Sequence, residues 1–479
     1  MRKQRGNRKP TWHRRYERTE GRTVCRYGKK QVPDGRGAEE QTPDSKTALV
    51  LGGGGSRGSY ELGVWQALRE MKIGIDIVTG TSIGAINGAM IAQGDYETAV
   101  SLWNRIETSQ VIDIPLKDSE PLNKKVLQTY QNFALNFVKS GGTDTGPLIQ
   151  TLRTVIDEDK VRSSPIDYGL VTVEMGSGAA HELFREDIPH GKLIDYIVAS
   201  ASIYPAFKPH RIDDVRYLDG AYHDNLPVKM AIKKGADHVI AVDLEAFGVV
   251  KKEMLELIPH VTYIRCYWNL GPTLVFDLPT MRHNIRLGYL DTMKAFHVYE
   301  GYAFTFAPGF CQQAAALFSE FMPLEEMLEK ESGGFVLDQL FLGQLKKIYE
   351  EHRVPEAEPG GRKTALVCAE VAGEVFGLDR ETVYSYESWQ SCLRERVGSV
   401  AMPAREGSER PKLLELLIKQ AKTLTSRQAR AVLAARLIAG ASEQQEAPPQ
   451  AAGLAVLPEA FLAGFYLAAT KLVEDNFAL

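Results

Sequence analysis

The chain alternates short β-branched or apolar runs with longer amphipathic segments, and this alternation limits the folds open to it. The runs lie at residues 47–51, 75–79, 169–174, 238–244 and 261–267. Segments between them, such as 60–71, 96–104 and 124–138, have apolar residues at helical spacing. Strands that alternate with helices usually form a mostly parallel sheet. The sequence therefore predicts an α/β domain.

Composition divides the chain into three parts. Residues 1–30 contain twelve Lys or Arg and two Glu, and residues 1–45 are poor in aliphatic side chains. Such a composition does not offset the entropy of ordering a backbone, so we predict a basic disordered tail over 1–45. The α/β domain is expected over residues 46–305.

A mainly helical C-terminal region of unknown role is expected over residues 306–479, because the strand pattern ends near Asp291. Helical spacing is present at 324–330, 335–351, 412–424 and 427–439. Stretches rich in Pro, Glu, Gln, Gly and Ala at 354–362 and 442–452 have the composition of linkers.

Charge and cysteine content narrow the classes of partner. From residue 31 onward the chain has 45 basic and 59 acidic residues, so no nucleic-acid partner is expected. The five cysteines include no Cys-x-x-Cys pair, so the sequence predicts neither a disulfide framework nor a metal site. This cysteine content is typical of a protein in the reducing cytoplasm. No uncharged apolar run reaches the roughly 18 residues of a membrane span. We expect a cytoplasmic protein that contacts membranes only peripherally.

A glycine-rich turn, Gly52-Gly53-Gly54-Gly55-Ser56-Arg57-Gly58, follows the first strand and leads into a helix. Free amides at such a helix start bind negative charge. Gly53, Gly55 and Gly58 also fit the dinucleotide fingerprint, with Asp76 18 residues later. Asp76 enters a strand rather than ending it, and there is no Gly-Lys-Ser/Thr for a P-loop. A nucleotide-dependent enzyme and a plain tight turn remain alternatives at this point.

The second strand runs into Gly80-Thr81-Ser82-Ile83-Gly84 and then an apolar helical segment. This is the pattern of a nucleophile elbow, in which a sharp turn requires small residues two positions before and after the serine. The serine hydroxyl is thereby held above the sheet at a helix N-terminus. Together with the glycine turn upstream, the pattern predicts a serine nucleophile.

A serine nucleophile needs a base, and none of the ten histidines lies in a persuasive sequence context. His223 is the one histidine that could complete a triad with Asp219, four residues before it. Asp219-Gly220 ends a short apolar run, which places the Asp219 carboxylate at a strand end or a turn.

The three motifs Gly53-Gly54-Gly55-Ser56-Arg57-Gly58, Gly80-Thr81-Ser82-Ile83-Gly84 and Asp219-Gly220-Ala221, in this order, resemble the patatin-like phospholipase family. The resemblance covers about residues 46–305 and includes Gly142-Thr143-Asp144 and the segment 201–207. It implies a three-layer α/β sandwich with a mostly parallel central sheet. Ala221 stands where the family more often has glycine.

The resemblance implies a Ser82–Asp219 dyad without histidine and an oxyanion hole at Gly53, Gly54, Gly55, Ser56 and Arg57, with Arg57 supporting the loop. Gly58, Gly80, Gly84, Gly220 and Ala221 are the remaining motif residues. The implied activity is cleavage of lipid acyl esters, of the phospholipase A or lysophospholipase type, without a cofactor. A catalytically silent protein that binds lipid or a partner on the same fold remains the alternative.

Overall fold

The computed structural model describes residues 12–19, 22–29, 45–112, 120–320, 347–350, 352, 360–400, 426–443 and 458–473. The chain divides into two compact units, Met1–His297 and Val298–Leu479. This division falls a few residues before the domain boundary expected at 305, and the functional extent of each domain stays a prediction.

The described part of the first unit contains ten strands. In chain order they are β1 (Trp12–Thr19), β2 (Arg22–Lys29), β3 (Lys46–Leu51), β4 (Ile77–Gly80), β5 (Asp167–Glu174), β6 (Ala180–Phe184), β7 (His210–Ile212), β8 (Val215–Asp219), β9 (Ala236–Asp243) and β10 (His260–Arg265). Strands β1 and β2 pair with each other, antiparallel, inside the segment predicted as a tail. The composition of that segment gives no sign of this pairing.

The other eight strands form one sheet, in the order β10-β9-β3-β4-β5-β8-β7, with β6 paired to β5. The pairs from β10 to β5 are parallel, which confirms the predicted sheet and all five predicted strands. Strands β6, β7 and β8 add antiparallel pairs that the sequence does not predict. The carboxyl ends of β3 and β4 therefore lie side by side.

Ten helices accompany this sheet in the same described segments. They are α1 (Ser59–Glu70), α2 (Ile83–Ala92), α3 (Tyr96–Trp103), α4 (Thr108–Val111), α5 (Leu122–Ser140), α6 (Gly146–Val155), α7 (Glu158–Ser163), α8 (Leu193–Ser200), α9 (Val228–Lys233) and α10 (Leu278–Ala295).

The core lies on both faces of the sheet, because successive side chains of a strand point to opposite faces. Leu49 and Leu51 of β3 pack in a cluster with residues of α1, α2 and α8. Ala48 and Val50 pack in a second cluster with residues of α9. The sheet is thus the middle layer of three, as expected.

The second unit is mainly helical where it is described. Its elements are β11 (Thr305–Phe306), α11 (Phe310–Glu320), α12 (Gly360–Phe376), β12 (Val383–Tyr384), α13 (Tyr386–Gly398), α14 (Arg427–Glu443) and α15 (Pro458–Ala469). The predicted helix at 427–439 lies in α14. Those at 324–330 and 412–424 lie outside the described residues, as do most of 335–351 and of both linkers. No helix in the described ranges has both the length and the apolar character needed to cross a membrane.

Candidate active site

Ser82 lies at a sharp turn between β4 and α2. Its backbone has φ 55° and ψ −122°, a strained conformation for a residue with a side chain. A Cβ atom on Gly80 would lie 2.2 Å from the Gly84 carbonyl oxygen, and one on Gly84 would lie 2.5 Å from the Leu51 carbonyl oxygen. Only glycine fits at either position, for the reason the elbow pattern implies.

Asp219 is the last residue of β8 and the N-cap of the short 3-10 helix Gly220–Tyr222. Its Oδ1 accepts a hydrogen bond of 2.8 Å from the Ala221 amide. Because this contact uses the main chain, alanine at position 221 serves as well as glycine. A Cβ atom on Gly220 would lie 2.3 Å from the Val171 carbonyl oxygen, so glycine is required there.

Ser82 and Asp219 line the same cavity, and the Ser82 side chain lies near enough to the Asp219 carboxyl group to lower its pKa. The Asp219 carboxyl is buried, with 1% of the residue exposed. Burial raises the pKa of Asp219 to about 7, against the opposing effect of the hydrogen bonds from Ala221 and Ser82. The carboxyl group therefore holds a proton more tightly than an ordinary aspartate does.

His223 does not lie beside this pair. Its Nε2 lies 3.0 Å from Lys251 Nζ and 3.6 Å from Glu182 Oε1. Burial and the nearby Lys251 cation lower the pKa of His223. The contacts of His223 give no support to a triad.

Gly53, Gly54 and Gly55 of the glycine loop line the same cavity as Ser82. The amides of Gly53, Ser56 and Arg57 donate to the carbonyl oxygens of Asn225, Thr273 and Gly54, at 3.2, 2.8 and 3.2 Å. Within the described residues, no group accepts a hydrogen bond from the amide of Gly54 or Gly55.

Of the five residues expected at the oxyanion hole, only Gly54 and Gly55 therefore have an available amide. The other three amides hold the loop in place. Gly55 has φ 57°, and a Cβ there would lie 2.0 Å from the Thr273 carbonyl oxygen.

The Arg57 side chain holds this loop against two others. Its guanidinium donates to the carbonyl oxygens of Gly271 at 2.8 Å, Glu245 at 2.9 Å and Leu244 at 3.2 Å. These contacts agree with the expected supporting role. Gly58, the last residue of the loop, packs closely against the start of α2. A Cβ atom there would lie 2.3 Å from Ile83 Cγ1.

Asn225 also fixes the loop, and sequence reasoning missed it. Its carbonyl accepts from the Gly53 amide, and its Nδ2 donates to the Gly53 carbonyl oxygen at 3.2 Å. The side chain follows Asp219 by six residues, and the sequence gives no pattern that would distinguish it from an ordinary loop asparagine.

A buried polar network that the sequence does not predict connects three helices behind the site. Asn87 Nδ2 donates to Glu61 Oε2 at 2.7 Å and to the Gly58 carbonyl oxygen at 2.9 Å. Trp103 Nε1 donates to Asn87 Oδ1 at 3.0 Å. Burial raises the pKa of Glu61 well above its usual range, against the opposing effect of the hydrogen bond from Asn87.

A cavity of about 210 Å³ extends from Ser82 and the glycine loop. Its walls are mostly apolar and include Ile86, Trp103, Leu152 and Phe207. The segments 83–91 and 201–207 both contribute to it. The expected family segments also meet here, because the Thr143 amide donates to the Ala206 carbonyl oxygen at 2.9 Å.

Asp76 lies at the other end of the sheet. It precedes β4, and its Oδ2 accepts from the Thr47 amide at 2.8 Å, at the amino end of β3. The glycine turn follows the carboxyl end of β3. Asp76 therefore does not lie where a dinucleotide bound to that turn would place its ribose.

Comparisons with known proteins find similar sequences over part of this chain. A family model described as "Patatin-like phospholipase" matches residues 49–232. Patatin-like phospholipase domain-containing protein 7 of Rattus norvegicus is 30% identical over 199 residues, which cover 41% of this chain and 13% of the rat protein. Lysophospholipase NTE1 of Scheffersomyces stipitis is 30% identical over 199 residues, which cover 41% of this chain and 11% of the yeast protein.

The matched part thus spans only a small fraction of the length of these relatives. Among solved structures, VipD from Legionella pneumophila has a TM-score of 0.35 and 13% identity, covering 99% of this chain and 98% of that one. The family match includes both Ser82 and Asp219. Residues 49–232 are therefore similar in sequence to the patatin-like phospholipase family.

Proposed function

We propose that this protein is a serine hydrolase of lipid acyl esters, with Ser82 as nucleophile and Asp219 as general base. The observation that carries the proposal is that Ser82, on its sharp turn, and the buried Asp219 carboxyl line the same apolar cavity. The name of the yeast relative, a lysophospholipase, supports a lipid ester as substrate. The apolar walls suit an acyl chain.

The first half of the reaction forms an acyl-enzyme. Ionised Asp219 takes the proton of Ser82 Oγ, and the oxygen attacks the ester carbonyl carbon. The amides of Gly54 and Gly55 stabilise the negative charge on the tetrahedral intermediate, and loss of one such donor typically costs about 10²–10³ in rate. The intermediate collapses, and the alcohol leaves with the proton held by Asp219.

In the second half, a water molecule attacks the acyl carbon while Asp219 takes its proton. The fatty acid is released, and the proton returns to Ser82. A base with a pKa near 7 suits both halves, because it is available as carboxylate at neutral pH and still binds a proton well enough to transfer it.

A fluorophosphonate probe, which reacts covalently with activated serines, tests the assignment. The wild-type chain should be labelled, Ser82→Ala should not, and Asp219→Asn should be labelled far more slowly. His223→Ala is the matched control and should be labelled at the wild-type rate. Labelling lost in His223→Ala but kept in Asp219→Asn would favour a triad and overturn the dyad.

Hydrolysis of a soluble short-chain ester and of lysophosphatidylcholine should follow the same order among the variants. A folded wild-type chain that neither reacts with the probe nor hydrolyses either ester would instead favour the catalytically silent binding protein.

A further inference from the structure

Helix α5 (Leu122–Ser140) buries two polar side chains and exposes large apolar ones. Lys125 and Thr129 are buried on its inner side, where Lys125 Nζ lies 3.0 Å from Asp277 Oδ1. The helix exposes five large apolar side chains. Phe137 (42% exposed) contacts Tyr204, and the other four lie on the outer side: Leu127 (58% exposed), Tyr130 (51%), Leu135 (55%) and Val138 (84%). We call these four residues the outer face of α5.

Its position relative to the rest of the domain is fixed by specific contacts. The buried Lys125–Asp277 ion pair holds the inner side, and the Phe133 ring packs against Phe207, with centroids 6.3 Å apart. Phe207 lines the cavity. Helix α5 thus flanks the proposed substrate site with its apolar side turned outward.

Aromatic contacts continue this apolar surface to the opening of the cavity. Phe137 at the end of α5 contacts Tyr204, with ring centroids 5.9 Å apart. The Tyr222 hydroxyl donates to the Tyr204 carbonyl oxygen, and the Tyr222 ring lies 5.9 Å from that of Phe247. Phe247 lines the cavity and is 70% exposed, which places it at the opening.

We propose that the outer face of α5, together with Phe247, docks onto the surface of a lipid bilayer and brings the cavity opening to the level of the lipid headgroups. This inference rests on the proposed function. A lipid substrate resides in a bilayer, and an apolar rim continuous with the opening lets an acyl chain move between bilayer and cavity with little exposure to water.

The chemistry of α5 favours a membrane over a protein partner. The helix contains three lysines and no acidic residue. Lys124 pairs with Glu120 at 2.8 Å and Lys125 with Asp277 at 3.0 Å, whereas Lys139 is exposed near the C-terminal end of the helix, beside the apolar residues. Tyrosine and phenylalanine occupy the rim. A basic helix with aliphatic and aromatic side chains on one face is the pattern of elements that lie in the bilayer interface.

The test compares wild type, Leu127→Asp/Val138→Asp and Leu257→Asp as full-length proteins. Leu257 is a matched control, since it is 65% exposed but precedes β10 at the amino end of the parallel sheet, away from the cavity. Flotation measures binding to phosphatidylcholine vesicles with and without phosphatidylserine. Hydrolysis is measured on vesicle-borne lysophosphatidylcholine and on a soluble short-chain ester.

The double variant should bind vesicles roughly tenfold or more weakly than wild type, because it loses two inserted aliphatic side chains. Its vesicle hydrolysis should fall in parallel, while its rate on the soluble ester stays at the wild-type level. Leu257→Asp should match wild type throughout. All variants should share the wild-type unfolding temperature, because the altered side chains are exposed.

Equal vesicle binding by wild type and the double variant would overturn the docking proposal. So would a wild-type chain that does not bind vesicles but forms a dimer, if the dimer is lost in the double variant, because the face would then bind a second copy. If wild type binds vesicles but hydrolyses neither ester, the docking surface stands and the proposed function fails.

Discussion

The titration of the Asp219 carboxyl group sets the expected pH dependence of Ser82 reactivity. Burial raises the pKa of Asp219 to about 7, and only the ionised form takes a proton from serine. The rate of fluorophosphonate labelling should therefore rise with pH through about 7 and level off above it. The measurement is the labelling rate across this range, with unfolding followed in parallel. A midpoint near the ordinary aspartate pKa, about 4, would contradict the expectation.

The same carboxyl group should reduce the stability of the fold above neutral pH. The pKa of Asp219 is raised from its ordinary value of 3.8 to about 7 in the folded chain, so the folded state binds the proton more tightly than the unfolded state. Its contribution to stability is full below pH 3.8 and is lost as pH rises through 7.

Asp219→Asn removes this loss, since the amide stays neutral while its oxygen can still accept from Ala221. The variant should therefore unfold at a higher temperature than wild type at alkaline pH, and the difference should shrink toward pH 4, near the unfolded pKa of about 3.9. Thermal unfolding of both proteins across this range is the measurement. If Asp219→Asn were less stable than wild type by the same margin at every pH, the predicted effect of Asp219 ionisation on stability would be refuted.

The elbow between β4 and α2 makes a sharp prediction at the scale of secondary-structure elements. A methyl group on Gly84 would meet the Leu51 carbonyl oxygen at 2.5 Å, so Gly84→Ala must displace α2 from the end of β3. We expect a loss of about 1–3 kcal/mol in unfolding free energy and a strong loss of labelling at Ser82. Urea unfolding and probe labelling measure the two effects.

Gly74→Ala is the control for that variant. A Cβ on Gly74 meets nothing within 4 Å, so its unfolding free energy should stay within about 0.5 kcal/mol of wild type. Equal behaviour of the two variants would show that close packing at the elbow does not position the serine.

The buried network across α1, α2 and α3 gives a second prediction at this scale. Burial disfavours a charge at Glu61, and Glu61→Gln keeps an oxygen that can accept from Asn87, so this variant should retain most of the wild-type labelling rate. Glu61→Ala leaves Asn87 Nδ2 short of an acceptor and should cost about 1–3 kcal/mol of stability. It should also slow labelling, because Asn87 holds the Gly58 carbonyl. Equal urea unfolding and equal labelling rates of Glu61→Gln and Glu61→Ala would contradict this prediction.

These elements also show what the sequence could and could not predict. The parallel strands and the elbow follow from local patterns: Gly80 and Gly84 flank Ser82 at the required spacing. Glu61 gives no such signal, because an acidic residue in the first turn of a helix ordinarily faces solvent and the helix dipole. In the folded chain it is buried and accepts a hydrogen bond from Asn87 of α2. The periodicity of α5 predicted a helix, but the inward position of Lys125 depends on Asp277, 152 residues away.

At the scale of the whole molecule, every residue of the candidate site lies in the first compact unit. The glycine loop, Ser82, Asp219 and the cavity walls all lie between Gly53 and Phe276, before the division at His297. The core clusters on both faces of the sheet likewise use residues from this unit alone. A core that is complete within one part of a chain is the usual condition for that part to fold by itself.

A fragment ending at His297 should therefore fold and react with the fluorophosphonate probe at a rate close to that of the full chain. The comparison uses the fragment, the full chain and the fragment with Ser82→Ala as the unreactive control, each checked for cooperative thermal unfolding. If the fragment folds cooperatively but labels slowly, residues after 297 are needed to organise the site. If it does not fold, the first unit depends on the second for stability, and the expectation of independent folding fails.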